Sequence, residues 1–348
     1  MLELARFSYY IQRLNMKTDQ TLLEVRGLTT RIQSAKGPIA VVCDLSFDLI
    51  AGKTTAIVGE SGCGKSMTAL SLMRILPSPP AFPSEGEVWY RKQNLLTLSE
   101  REMRKIRGKN IAMIFQDPQS ALNPVYTVGN QLLEVAELHL GIYDEEAEER
   151  VIRSLKEVGI SSPEQRMNEY PHQLSGGMKQ RVMIAMAMMC EPDILIADEP
   201  TTALDVTIQA QVLELMRELQ KKKGMALLLI THDMGVVAEM ADEVIVMYAS
   251  RMVEKAGVND LFDRPAHPYT KGLFASRPSH DSHKGKLQTI KGTVPPLSQL
   301  PGGCSFHPRC PFAMEKCRSG NVPEFSLDGI IPHKSACWLH EKEVTANV

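Results

Sequence analysis

The alternation of apolar and polar positions changes rhythm several times along this chain, and each change marks an element. Leu22-Leu23-Glu24-Val25 reads as the first strand of the folded part. The polar turn Ser34-Ala35-Lys36-Gly37-Pro38 separates it from a second strand region ending in Leu45-Ser46-Phe47-Asp48-Leu49. Thr55-Ala56-Ile57-Val58 is a further strand, and a helix-like run from Met67 to Leu76 follows before the proline-rich connection Pro77-Ser78-Pro79-Pro80. Glu87-Val88-Trp89-Tyr90 predicts a strand at a sheet edge, and Ile111–Phe115 a short buried strand ending at Gln116. From Asp117 to about Gln173 the period lengthens. Val128–Leu140 and Glu145–Val158 carry apolar residues at helical spacing, with Val151, Ile152, Leu155 and Val158 in the second, which predicts a small helical subdomain over about 117–180. Arg181 to Cys190 continues as a helix rich in Ala and Met, whose methionines suit adaptable core packing. Ile194-Leu195-Ile196-Ala197 is a buried strand that runs into Asp198 and Glu199, with Pro200 stopping it. Val206–Lys222 then predicts a helix and Ala226–Ile230 a strand ending at Thr231-His232-Asp233. Strand and helix in alternation give an α/β fold with a parallel sheet, whose ligands gather at the carboxyl ends of the strands.

Composition narrows the class. With 348 residues, 43% apolar and only 5% aromatic, the chain can bury a sizeable aliphatic core in one to three domains. A net charge of −2 gives no electrostatic ground for binding nucleic acid. No apolar run approaches the length of a membrane-spanning helix. Residues 1–20, with Arg6, Tyr9, Tyr10 and Arg13, lack the apolar core of a signal peptide. They read as an amphipathic arm or as an extension upstream of a start at Met16. Seven cysteines is an odd count, and Cys43, Cys63 and Cys190 fall in predicted core or nucleotide-binding stretches, which favours a cytosolic compartment over disulfides.

The chemistry centres on Gly59-Glu60-Ser61-Gly62-Cys63-Gly64-Lys65-Ser66, which fits G-x-x-x-x-G-K-[ST] between a strand and a helix. Glycines let backbone N–H groups turn toward phosphate oxygens, and the helix N-terminus adds its positive end. The run Gly59, Ser61, Gly62, Cys63, Gly64, Lys65, Ser66 and Met67 is thus the candidate cradle for a nucleoside triphosphate. In it Lys65 neutralises the β- and γ-phosphates and the Ser66 hydroxyl ligates Mg²⁺. A buried strand ending in adjacent acids has a matching use: Asp198 holds the Mg²⁺ shell and Glu199 polarises the attacking water. His232, at the end of another strand, is placed for a γ-phosphate contact.

In order and type these motifs resemble the nucleotide-binding subunits of ATP-binding-cassette (ABC) transporters, over roughly residues 22–250. The resemblance implies a phosphate-loop ATPase core with a parallel sheet, an antiparallel β subdomain and a helical subdomain. It implies that Gln116 is the Q-loop glutamine and a Mg²⁺ ligand, and that Leu174-Ser175-Gly176-Gly177 is the family signature. Asp198 and Glu199 become Walker B and the catalytic glutamate, Ala203-Leu204-Asp205 the D-loop, and His232 the switch histidine. Ser175, Gly176 and Gly177 would serve the nucleotide of an opposing subunit, so that two subunits sandwich two ATP molecules head to tail. Where the family stacks an aromatic ring under adenine, the aligned residue is Ile32, which implies aliphatic contact instead.

The tail narrows the resemblance. Asp260-Leu261-Phe262, Arg264–Thr270, Gly272-Leu273, Gly292–Pro296 and Pro301–Pro311, with a polar linker Pro278–Lys286, look like the C-terminal extension of oligopeptide, dipeptide and nickel importer ATPases. The implied organisation is an N-terminal extension (1–20), a nucleotide-binding domain (21–258) and a small Cys-rich extension (259–348). The implied partners are a second ABC ATPase subunit (a paralogue), two transmembrane permease subunits and an extracytoplasmic substrate-binding protein. The chain would then be peripheral, on the cytoplasmic face of the cell (inner) membrane, and would power uptake of short peptides. A nickel importer is the alternative within the group. A soluble cassette acting on nucleic acid or ribosomes, or a small-molecule kinase, are alternatives outside it. Cys304, Cys310, Cys317 and Cys337 are spaced C-x5-C-x6-C-x19-C in a Pro- and Gly-rich segment. Four thiolates there suit Zn²⁺ or an iron–sulfur cluster as a staple, and His307, His333 and His340 lie nearby. The resemblance favours a [4Fe–4S] cluster over zinc.

Overall fold

Long-range strand pairing organises the computed structural model, which describes residues 20–202, 204–276, 289–327 and 332–341. Residues 1–19 of the N-terminal extension, the linker over residues 278–286 and Ala203 of the D-loop lie outside the described residues. The chain falls into two compact units. Among the described residues, one is built from residues 20–24, Asp48–Thr54 and Trp89–Ile230, the other from Val25–Phe47, Thr55–Val88 and the residues from Thr231 onward.

In the first unit three parallel strands lie side by side: Ala226–Ile230, Ile194–Asp198 and Ile111–Ile114, with Asp198 opposite Ile230 and Ala197 opposite both Leu229 and Ile114. Every residue of the first two is buried. That is the continuous aliphatic pattern of a parallel sheet covered on both faces. Helices Val128–Val135, Asp144–Glu157, Gly176–Met188 and Val206–Lys223 belong to the same unit. Val151 and Leu155 turn inward on their helix, as their spacing predicts, while Ile152 is only half-buried.

In the second unit Thr54–Val58 pairs in parallel with Glu243–Tyr248, which pairs antiparallel with Arg251–Gly257. Two short strands from the tail, His333–Ser335 and Phe325–Leu327, extend that edge in turn. Residues of Gly37–Ile50, Thr21–Ser34 and Glu85–Tyr90 form neighbouring strands of a separate antiparallel layer. Glu85–Tyr90 is not an edge strand as the sequence predicts, because the two-residue strand Gln93–Asn94 pairs with its last residues. The helix after the phosphate loop runs from Lys65 to Met73 rather than to Leu76. Arg74 turns left-handed (φ 51°) and Ile75 N–H donates back to Leu70 O, which closes the helix early.

Candidate functional site

The phosphate loop lies wholly within the second unit. Its strand, Thr54–Val58, is buried throughout and delivers Gly59 with φ +151°. A Cβ at Gly59 would lie 2.2 Å from Met247 O, and one at Gly64 (φ +105°) 2.3 Å from Val41 O, so both positions accept glycine alone. Gly64 caps the helix Lys65–Met73 and accepts from Thr68 N–H and Thr68 Oγ1. Lys65 is 5% exposed, and its ammonium donates to Gly59 O (2.8 Å) and Glu60 O (3.2 Å). A buried ammonium in a glycine loop at a helix N-terminus matches a polyphosphate in charge. Ser61 and Gly62 are exposed, Ser66 and Met67 half-buried, and Cys63 fully buried, with burial pushing its thiol pKa up. Thr231 N–H donates to Ile57 O (3.2 Å), which ties the turn carrying exposed His232 to the strand that feeds the loop. Ile32 is half-buried on its strand and bridges to Ala81.

The first unit holds the acidic pair. Asp198, the last residue of its strand, is buried, whereas Glu199 is half-buried and left-handed (φ 46°). That is a strained conformation for a non-glycine residue. It is held by Glu199 N–H donating to Ile230 O (2.8 Å) and by two donors on Oε2, Gln116 Nε2 and Thr202 Oγ1, each at 2.9 Å. Gln116 and Glu199 are thus brought together as one group. The hydroxyl of Ser66, the carboxylate of Asp198 and the amide oxygen of Gln116 are hard oxygen donors of the kind Mg²⁺ takes.

The signature segment opens the helix Gly176–Met188, and Ser175 caps it by accepting from Met178 N–H (3.3 Å). Ser175 and Gly176 are exposed. A Cβ at Gly177 would meet Ile208 Cγ2 at 2.9 Å, so glycine lets this helix approach the helix Val206–Lys223 closely. Asp205 caps that second helix, accepting from Thr207 N–H and Ile208 N–H.

The tail cysteines require a correction. Cys304, Cys310, Cys317 and Cys337 do line one small cavity of about 10 Å³, together with Phe306, Phe312 and Trp338. All four are free cysteines, and among the described residues no group of three or more His, Cys, Asp or Glu is arranged to hold a metal ion. The expected [4Fe–4S] cluster and its zinc alternative are therefore set aside. Burial pushes the Cys304 and Cys310 thiols up, and that of Cys337 to about 11.

Protein contacts hold the tail instead. The buried Glu254 carboxylate accepts from Ala266 N–H (2.7 Å) and His267 N–H (2.8 Å) and pairs with His333 Nε2 (2.8 Å). Tyr248, Tyr269 and Phe306 form a triangle of rings 4.7 to 5.4 Å apart. Sequence reasoning also missed Thr202 on Glu199, and Tyr269 and Arg309 on Glu60. Only the threonine, three residues beyond its partner, left any local signal.

Comparison with known proteins follows the same lines. A family model described as ABC transporter matches residues 42–202, and one described as the oligopeptide/dipeptide transporter C-terminal region matches residues 253–317. A probable peptide ABC transporter ATP-binding protein of Sinorhizobium fredii is 51% identical over 332 residues, covering 95% of this chain and 98% of the relative. An oligopeptide transport ATP-binding protein of Bacillus subtilis is 50% identical over 93% of this chain and 98% of its own length. Among solved structures, a dimeric ATP-binding cassette in a post-hydrolysis state with ADP and phosphate superposes with a TM-score of 0.60 at 26% identity, covering 68% of this chain and 98% of that one.

Proposed function

The chain belongs to the ABC transporter family, and we propose that it is the ATP-hydrolysing subunit that powers uptake of short peptides. The observation that carries this reading is 51% identity to a peptide-transport ATP-binding protein along 95% of the chain, tail included. The glycine cradle around Lys65 supports ATP as the ligand.

In this reading Lys65 and the loop from Gly59 to Met67 bind the phosphates, and Ile32 meets the adenine. Ser66, Asp198 and Gln116 hold Mg²⁺, which when bound neutralises charge on the β- and γ-phosphate oxygens. Glu199 orients and deprotonates the attacking water, and His232 contacts the γ-phosphate. The bonds from Gln116 and Thr202 fix the Glu199 carboxylate before water arrives, which supports its role as a preorganised base. Ser175, Gly176, Gly177 and Asp205 serve the nucleotide of the opposing subunit.

Members of this family work as dimeric ATPases with membrane permease subunits. We take the partner ATPase to be a paralogue and the cargo to be delivered by an extracytoplasmic binding protein. Among the described residues no helix is long and apolar enough to cross a membrane. We place the chain peripherally, on the cytoplasmic face of the permease. We divide the chain into a cassette (21–258) and an extension (259–348); the two successive family matches, over residues 42–202 and 253–317, support two parts in that order.

The test is reconstitution in liposomes with the partner ATPase, permease subunits and binding protein. A labelled tripeptide should accumulate at the expense of ATP, and peptide-loaded binding protein should raise turnover. Uptake of Ni²⁺ without peptide would move the reading to the metal importers, and stimulation by ribosomes or RNA alone would overturn it.

A further inference from the structure

The C-terminal extension grips the phosphate loop at one residue, Glu60, which the loop motif leaves unspecified. The Arg309 guanidinium meets the Glu60 carboxylate with two bonds, Nη1 to Oε2 (3.0 Å) and Nη2 to Oε1 (3.2 Å). Its remaining N–H groups donate to Lys291 O, Gly292 O and Tyr248 Oη, so all five donors of a 7% exposed side chain are used. Independently, Glu60 N–H donates to the hydroxyl of Tyr269 (2.9 Å), whose ring is fully buried against Tyr248 and Phe306.

The peptide plane gives that second bond its consequence. The Gly59–Glu60 peptide is planar and trans, so its N–H and C=O point in opposite directions. Its N–H faces Tyr269, and its C=O, the Gly59 carbonyl, accepts from Lys65 Nζ at 2.8 Å. Fixing one end of the plane fixes the other. The Glu60 carbonyl, 3.2 Å from the same ammonium, belongs to the residue whose side chain Arg309 holds. The extension therefore reaches Lys65 by two routes, each through a single residue.

We propose that Tyr269 and Arg309 are positioning residues for the phosphate loop, holding Glu60 and through it Lys65 in the geometry that binds the triphosphate. The extension is thereby a determinant of ATP affinity as well as a family marker. This rests on the reading that the loop binds ATP.

The experiment titrates Mg-ATP into the full-length chain by calorimetry and measures KM and kcat in the assembled importer. Arg309→Ala and Glu60→Gln should each weaken ATP binding on the order of ten-fold, as loss of a charge-assisted pair does. The double variant should be no worse than either single one, because both remove the same bond. Arg309→Lys, a point charge without the fork, should recover part of the affinity. Tyr269→Phe keeps the ring packing and removes only the acceptor, and should raise KM several-fold with kcat nearly unchanged. A purely structural tail would lower Tm and leave KM where it was. If Arg309→Ala does not fold, Glu60→Gln and Tyr269→Phe decide. Lys65→Ala separates the two levels. Wild-type affinity in Lys65→Ala overturns the nucleotide reading of the loop and the positioning proposal with it. Lost affinity there, with all three neighbouring variants within two-fold of wild type, overturns the positioning proposal alone.

Discussion

At the scale of single residues, the site is legible where the chemistry is contiguous. Gly59, Gly64 and Lys65 stand in one motif, and each has the geometric reason the motif implies: two glycines where a Cβ would strike a backbone carbonyl, and an ammonium turned into the loop. Glu199 is legible only as a carboxylate at a strand end; its left-handed backbone and its Gln116 and Thr202 partners emerge from the fold. Those partners sharpen a prediction. Glu199→Gln keeps the size of the side chain and removes the proposed base, so ATP binding should persist while turnover in the assembled complex falls about 10²-fold or more. Hydrolysis at the wild-type rate in that complex would mean that another group serves the water. Gly64→Ala should act differently. The clash with Val41 O and the positive φ distort the loop itself, so nucleotide binding should be lost and the thermal midpoint should drop; calorimetry and a melting curve read both.

Elements tell a more mixed story. Buried strands such as Ile194–Asp198 and Ala226–Ile230 announce themselves because every residue is aliphatic until the functional end. The tail is hard to read because its order comes from partners far away in sequence: Arg309 and Glu60 are 249 residues apart, and His333 and Glu254 are 79 apart. A local contact in the tail predicts a pH dependence. His267 caps the helix Pro268–Ala275 by accepting from Tyr269 N–H at Nδ1 (3.0 Å), and burial lowers its pKa from 6.5 to about 4. Glu254 opposes that shift, while His340 and Lys271 reinforce it. Since the folded-state value is the lower one, the unfolded chain binds the extra proton between the two. The stability due to neutral His267 is thus complete above pH 6.5 and is lost as pH falls toward 4, with a slope approaching ~1.4 kcal/mol per pH unit. His267→Asn keeps a capping acceptor without titrating in that window, so denaturant melts from pH 7 to 4.5 should show a flatter slope. An unchanged slope would assign the acid sensitivity elsewhere. Glu254, whose own burial is outweighed by its bonds to His333 and the Ala266 and His267 amides, loses its contribution only below its ordinary carboxylate range.

At the scale of the whole molecule, the informative feature is an exposed helix end with anion-binding chemistry. The helix Gly176–Met188 presents Ser175 and Gly176 to solvent at its N-terminus, where backbone N–H groups and the helix dipole favour an anion. In the shared-site reading that anion is the γ-phosphate held by an opposing subunit, so the isolated chain should bind ATP yet hydrolyse it poorly. Adding the partner ATPase and permease subunits should raise the rate strongly. Gly176→Asp isolates this role. A Cβ at Gly176 finds its nearest neighbour, Leu204 Cδ2, at 3.9 Å and the backbone needs no positive φ, so the fold accepts the side chain while its charge opposes a phosphate. The variant should keep wild-type affinity for Mg-ATP in the isolated chain, since its own loop is untouched. Its turnover in the assembled complex should fall ten-fold or more, a loss that more ATP does not restore. Concentration-independent hydrolysis at the full rate by a demonstrable monomer would rule out the shared site, and full complex activity in Gly176→Asp would show that this helix end meets no phosphate.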